Sequence, residues 1–179
     1  MPYGRAVPAV RAVRVEPATT NEQVDDVRDL MRAFVAWHRE RHVADLALID
    51  RYFADGSFEA ELAGLPGEYA PPDGCLLLAT YDGQPAGCVG MRRLTADAAE
   101  MKRMFVPTRF RGLGVGRALA EAVVAQGRAA GYREMWLDTS VRQVEALGLY
   151  ESLGFQEAPA HHDLPAEMVG WLVFRRLVL

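Results

Sequence analysis

The chain has 179 residues, half of them hydrophobic, a size that predicts one domain, 1–179, with a proper core. A net charge of −4 argues against nucleic acid as the main partner, and no apolar run approaches the length of a membrane span. The opening Met-Pro-Tyr-Gly-Arg-Ala-Val-Pro lacks the apolar stretch of a signal peptide, so a cytoplasmic protein is expected.

Residues 1–9 read as a loose tail. Residues 10–15 alternate Val with Arg and Ala, an edge-strand pattern that Pro17 ends. Thr20 or Asn21 can cap a helix with Glu22, Asp25 and Asp26 in its first turns. Val24, Val27, Met31, Phe34, Val35 and His38 then recur at three- and four-residue steps, one apolar face running to about residue 42. Further helices are predicted over 45–54 and 57–63, and the Gly- and Pro-rich residues 64–74 form a loop. Cys75–Tyr81 and 86–94 are strands joined by the hairpin turn Asp82-Gly83, and 98–106 is the next strand. Cys75 and Cys88 fall in these apolar runs and are read as core thiols. A helix over 115–130 stops at Gly131, and a strand covers 133–139. A helix over 142–153 ends at Gly154, Phe155 opens another strand, and 168–178 is the last. The order predicts a mixed α/β sheet with helices on its faces.

Pro107 breaks the strand at 98–106. A loop carrying Arg111, Gly112, Gly114 and Gly116 then leads at once into a helix. Strand, glycine loop and helix present free backbone N–H groups to an anion, where the helix dipole adds partial positive charge. The dinucleotide fingerprint fails because Arg117 stands where its third glycine belongs, and no Gly-Lys-Ser/Thr of a Walker loop is present. The pattern from Arg111 to Gly116, Arg-x-x-Gly-x-Gly, resembles the coenzyme A pyrophosphate loop of the GNAT superfamily of N-acetyltransferases; a frame from Arg109 to Gly114 also fits. Residues 146–155, Ala-Leu-Gly-Leu-Tyr-Glu-Ser-Leu-Gly-Phe, resemble a second element of the same superfamily, in which the tyrosine lies near the thioester sulfur. The resemblance covers roughly 75–157, and the first 70 residues fit in outline.

The resemblance implies the GNAT acyl-CoA N-acyltransferase fold: a mixed, mostly antiparallel central sheet, splayed at the cofactor site and flanked by helices. It implies acetyl-CoA as acetyl donor. The backbone of Met104, Phe105 and Val106 would hold the pantetheine arm, and Arg111, Gly112, Leu113, Gly114, Val115, Gly116 and Arg117 the pyrophosphate. Gln143 stands where the family often has an asparagine that contacts the cofactor.

Acetyl transfer also needs a neutral amine and a protonated leaving sulfur. An alkylamine of pKa ~10.4 is only about one part in 10³ neutral at pH 7, so a base is useful. Glu100 is the first choice, since a glutamate at similar spacing before the loop serves some GNAT enzymes; Glu68, His161 and His162 compete, and a salt bridge of Glu100 to Lys102 or Arg103 is the plainer reading. Tyr150 is expected to give the thiolate a hydrogen bond or proton, or else to be an ordinary core tyrosine.

Charge is uneven: residues 92–117 hold seven basic residues against two acidic, whereas 52–91 hold no Lys or Arg. Asp55, Glu59, Glu61, Glu68, Asp73 and Asp82 in that second stretch form either an acidic wall favouring a cationic acceptor or a solvated acidic loop. Lys102 is the only lysine among twenty basic residues, which is read as coding bias. His38 and His42, four apart on a helix, lack a third ligand, so no metal site is assigned. The expected reaction is acetyl transfer to a primary amine of a small molecule or peptide by direct attack in a ternary complex. A non-catalytic acyl-CoA sensor on the same fold is the alternative, and the apolar last strand could pair across a homodimer.

Overall fold

The computed structural model describes residues 12–53 and 56–179. The expected tail at 1–9 and the first residues of the expected edge strand lie outside them. One seven-stranded sheet runs β1-β2-β3-β4-β5-β7-β6, built from β1 (Val13–Pro17), β2 (Cys75–Tyr81), β3 (Gln84–Arg93), β4 (Ala98–Phe105), β5 (Glu134–Ser140), β6 (Gln156–Ala158) and β7 (Leu172–Val178). Every pairing is antiparallel except β4 with β5. Pro17 does not precede the end of β1 but is its last paired residue, which an edge strand tolerates.

Both faces of the sheet are covered, which explains the unbroken apolar run of β2. Leu77 and Ala79 face the core under α4 (Val115–Ala129), and the alternating Leu76 and Leu78 face the core under α1 (Asn21–Arg41). Thr20 caps α1 with a capping box: its side chain accepts from the Gln23 N–H, and the Gln23 side chain accepts from the Thr20 N–H. The helix expected at 45–54 is a 3₁₀ turn, Val43–Asp45, followed by α2 (Leu46–Tyr52), and α3 (Ser57–Ala63) follows it. α5 (Val144–Ser152) leads into β6. The last strand starts at Leu172 rather than 168, because Ala166–Met168 is a 3₁₀ turn. β7 lies inside the sheet, paired with β5 on one side and over Phe174–Arg176 with β6 on the other, so it offers no free edge there to a second copy. Cys75 and Cys88 are buried free thiols whose pKa values burial pushes up to about 11 and about 12.

Two irregularities of β4 shape the site. First, β4 pairs with β5 only from Ala98 to Glu100, opposite Glu134 to Trp136, and beyond that the two parallel strands part. Second, the register against β3 shifts between Cys88 and Gly90, which oppose Phe105 and Lys102, so β4 carries an extra residue. Arg103 in this bulge has φ 58°, a left-handed conformation that is uncommon for a residue with a side chain. Its guanidinium is locked: Nε and Nη2 donate to the two Glu61 oxygens at 3.0 and 2.6 Å, and it lies over the Phe53 and Phe58 rings.

Candidate active site

The parting of β4 and β5 opens two adjoining cavities. Two residues past the last backbone pair, a side-chain link takes over: Lys102 Nζ of β4 lies 2.8 Å from Asp138 Oδ1 of β5. The Tyr52 hydroxyl of α2 accepts from Lys102 at 3.1 Å and donates to Asp138 at 3.1 Å. The Asp138 side chain is 1% exposed. Burial pushes its carboxyl up, but the His162 hydrogen bond and the Lys102 charge outweigh this and hold it well below the usual carboxylate range.

On the loop side, the cavity is lined by Trp37, the strand end 104–106, Arg111, Gly116 and the first turns of α5. Gly112 and Gly114 have φ of 76° and 85°, where a Cβ is unfavourable, and Gly114 is the N-cap of α4. The first helical bond runs from the Ala118 N–H to the Gly114 carbonyl. The N–H groups of Val115, Gly116 and Arg117 therefore have no intrahelical partner. Arg111 Nε donates to the Val106 carbonyl at 3.0 Å while its guanidinium lies 4.2 Å over the Trp37 ring, so it ties the strand end to α1. Leu113 is exposed, and Arg117 reaches back to Ser152 Oγ at 2.9 Å. Gly116 sits inside α4, where a Cβ would meet neighbours only at ordinary contact distance.

On the other side, a chamber bounded by Phe34, Tyr52, Phe53, Trp171, Lys102 and Asp138 adjoins it. Met104, Gln143 and Tyr150 line both cavities and form the neck between them. Tyr150 is buried, its hydroxyl faces Met104 Sδ at 3.7 Å, and burial followed by the Asp138 charge raises its pKa. With a weak thioether acceptor as its partner, this hydroxyl can turn toward a ligand in the neck. Gln143 precedes α5 at its N-cap, with Nε2 3.5 Å from His38 Nε2.

A polar arm extends from the chamber past Tyr52, Lys102, Arg103 and Asp138 to Arg92, Glu100, His161 and His162. Glu100 is 1% exposed and fully engaged: Arg92 Nε is 2.7 Å from Oε2, and His161 Nε2 is 2.9 Å from Oε1, with Lys102 Nζ at 3.5 Å. Burial raises its pKa, but the His161 hydrogen bond and the Lys102 and Arg92 charges carry it down to about 2. The sequence-level choice of base thus stands in the wall of the arm as a strongly ionised carboxylate. Glu68, the competitor in the 64–74 loop, is paired to Arg92 at 2.6 Å near the surface.

The acidic wall is not a free negative surface. Glu59 pairs with Arg32, Glu61 with Arg103, Glu68 with Arg92 and Asp73 with Arg93; Asp55 lies outside the described residues. Glu61, Glu68 and Asp73 thus answer part of the basic excess of 92–117 across the fold. Trp37, Tyr52 and Asp138 were missed by sequence reasoning because nothing local marks them. Lys102 carried a signal that was set aside: in a chain that otherwise uses arginine, its single lysine is buried at the fork.

A glycine loop after β4, set beside a sheet parted between two parallel strands, is the architecture of the GNAT acetyltransferases. The chain belongs to the acetyltransferase (GNAT) family, whose model matches residues 28–155. It is 34% identical over 119 residues to human N-acetylaspartate synthetase, a match covering 64% of this chain and 39% of that longer protein. An acetyltransferase from Streptococcus agalactiae superposes with a TM-score of 0.70 at 16% identity, covering 93% of this chain and 98% of that one. A GNAT family acetyltransferase from Elizabethkingia anophelis, solved with acetyl-CoA bound, has a TM-score of 0.62 at 18% identity and covers 93% and 98%. Among the described residues no helix is long and apolar enough to cross a membrane.

Proposed function

We propose that this chain transfers the acetyl group of acetyl-CoA to a primary amine by direct attack in a ternary complex. The observation that carries this reading is the neck: the loop-side cavity and the polar chamber share Met104, Gln143 and Tyr150. The Arg111–Arg117 segment would take the pyrophosphate on backbone N–H groups and charge. The bulged strand end at Met104, Phe105 and Val106 would lay its backbone along the pantetheine arm, bringing the thioester to the neck. One backbone donor on the thioester carbonyl is worth about 3 kcal/mol in the transition state. The amine would approach from the chamber, attack the carbonyl carbon and form the N–C bond as the C–S bond breaks. Tyr150, kept protonated by its buried setting, would supply the departing sulfur with a hydrogen bond or proton.

The chain would act as one cytoplasmic domain, and dimerisation, if it occurs, would use an edge other than the middle of β7. The acceptor is a small-molecule or peptide amine. Human N-acetylaspartate synthetase is named for an N-acetylated amino acid, which makes an amino acid the first acceptor class to try here. The sensor alternative would need only the loop. A buried acid–base cluster on the far side of the neck favours the enzyme, because a sensor has no use for it. Thiol release from acetyl-CoA, measured with a panel of amino acids, alkylamines and peptides, tests the reading. Turnover with any of them supports it; coenzyme binding with no turnover returns the protein to the sensor class.

A further inference from the structure

An ammonium must lose a proton before it can attack, and Glu100 at a pKa of about 2 is a poor receiver. The 159–165 segment supplies another. Its two consecutive histidines reach carboxylates on two different strands: His161 Nε2 to Glu100 of β4 at 2.9 Å, and His162 Nε2 to Asp138 of β5 at 3.4 Å. Their rings meet edge to face at 5.0 Å. His161 is held by the Trp136 and Phe174 rings, at 5.4 and 5.2 Å, and its side chain is 6% exposed.

The hydrogen positions follow from the partner. An ionised carboxylate only accepts, so Nε2 of His161 carries the hydrogen that Glu100 receives. In the neutral ring Nδ1 is then a bare lone pair, and Nδ1 is buried with no protein hydrogen bond among the described residues. The charged groups lining the same arm are Lys102 of β4 and Arg92 of β3, both on Glu100, together with Arg103 and Asp138. From β7 the Phe174 ring packs on His161, and from α2 Tyr52 lines the same arm.

We propose that His161 receives the amine's proton, with Glu100 as its positioning residue. This rests on the acetyl-transfer reading. The balance is then complete. The ammonium gives one proton to His161, which releases it to solvent water before the next turnover. The neutral amine forms the N–C bond, the C–S bond breaks, and Tyr150 gives the sulfur its proton. The second amine proton restores Tyr150. The net products are the amide, the free thiol and one proton.

Two measurements test this. In the first, the full chain labelled with 15N-histidine is read by long-range 1H–15N correlation near neutral pH, which reports each ring's tautomer without any turnover. The inference expects His161 as the Nε2–H tautomer with bare Nδ1, and a displaced signal in Glu100→Gln. An Nδ1–H ring, or an imidazolium persisting across the neutral range, overturns it. In the second, thiol release is followed against pH with whichever panel amine the wild type uses. His161→Gln, or His161→Asn if the first folds poorly, should lose about 100-fold in kcat at neutral pH with the KM for acetyl-CoA nearly unchanged. That deficit should shrink as pH rises toward the amine's own pKa, where the amine arrives already neutral. A deficit that stays constant with pH, or is under about threefold, overturns the inference. A wild type silent with every amine refutes acetyl transfer instead, and the tautomer measurement then still decides whether His161 has the free lone pair assigned to it.

Discussion

Lys102→Met removes an ammonium that is 10% exposed from beside the Asp138 carboxylate, 1% exposed and 2.8 Å away. At an effective dielectric of about 20 the gross attraction over that distance is about 6 kcal/mol. Desolvation of both ions offsets part of it, and breaking one half of a buried pair costs about 3–5 kcal/mol in practice. Asp138 keeps the Tyr52 hydroxyl and His162, so the expected loss lies at the lower end, about 3 kcal/mol. Asp138→Leu leaves Lys102 with Glu100 at 3.5 Å and should cost a similar amount. The double variant strands neither charge. It should therefore lose less than the two single losses together, with a coupling of about 1–3 kcal/mol. Urea unfolding at constant m-value measures all four corners of the cycle. Strict additivity, or a Lys102→Met loss below about 1 kcal/mol, would refute the view that this pair holds the fork where the strand pairing stops.

Tyr150→Phe should lower kcat about 100-fold while the KM for acetyl-CoA stays nearly constant, because the ring that lines the neck is kept; unchanged turnover in the thiol assay removes the hydroxyl from the reaction. Gly114→Ala forces a Cβ into φ 85° and should cost about 1–2 kcal/mol in urea unfolding, together with weaker coenzyme A binding by calorimetry; a neutral result would mean the loop does not need that conformation. Glu100 and Asp138 both have folded pKa values below their unfolded ones, so their stabilisation is full above about pH 4.5 and is lost as pH falls toward about 2. Glu100→Gln should flatten part of that acid limb in a pH series of unfolding midpoints. His162 has the opposite sign. Its pKa is raised by Asp138, so its contribution is full below about pH 6.5 and fades as pH rises through the folded value.

Local signals carried much of the fold into the sequence. The capping box at Thr20 and Gln23, the Asp82-Gly83 turn and the glycine stops at 131 and 154 each act within a few residues, and each falls at an element boundary. The glycine loop and the tyrosine helix were legible for the same reason. Pro17 within β1 and the late start of β7 were not, since each depends on what the neighbouring strand pairs with. The chamber was the least legible part. Lys102, Asp138 and Tyr52 come from β4, β5 and α2, and only the parting of the sheet brings them together. Glu100 and His161 were singled out separately, but their 2.9 Å contact joins residues 61 apart and has no periodicity to announce it. Glu61, Glu68 and Asp73 looked unopposed because their partners, Arg103, Arg92 and Arg93, lie just beyond the 52–91 window in sequence and across from it in space.

A crystal structure with acetyl-CoA bound tests the central claim most directly. The account predicts pyrophosphate oxygens on the N–H groups at the start of α4 beside Arg111, the pantetheine arm along Met104–Val106, and the thioester sulfur within hydrogen-bond reach of the Tyr150 hydroxyl. Coenzyme lying elsewhere, or a thioester that never reaches the neck shared by the two cavities, would contradict it.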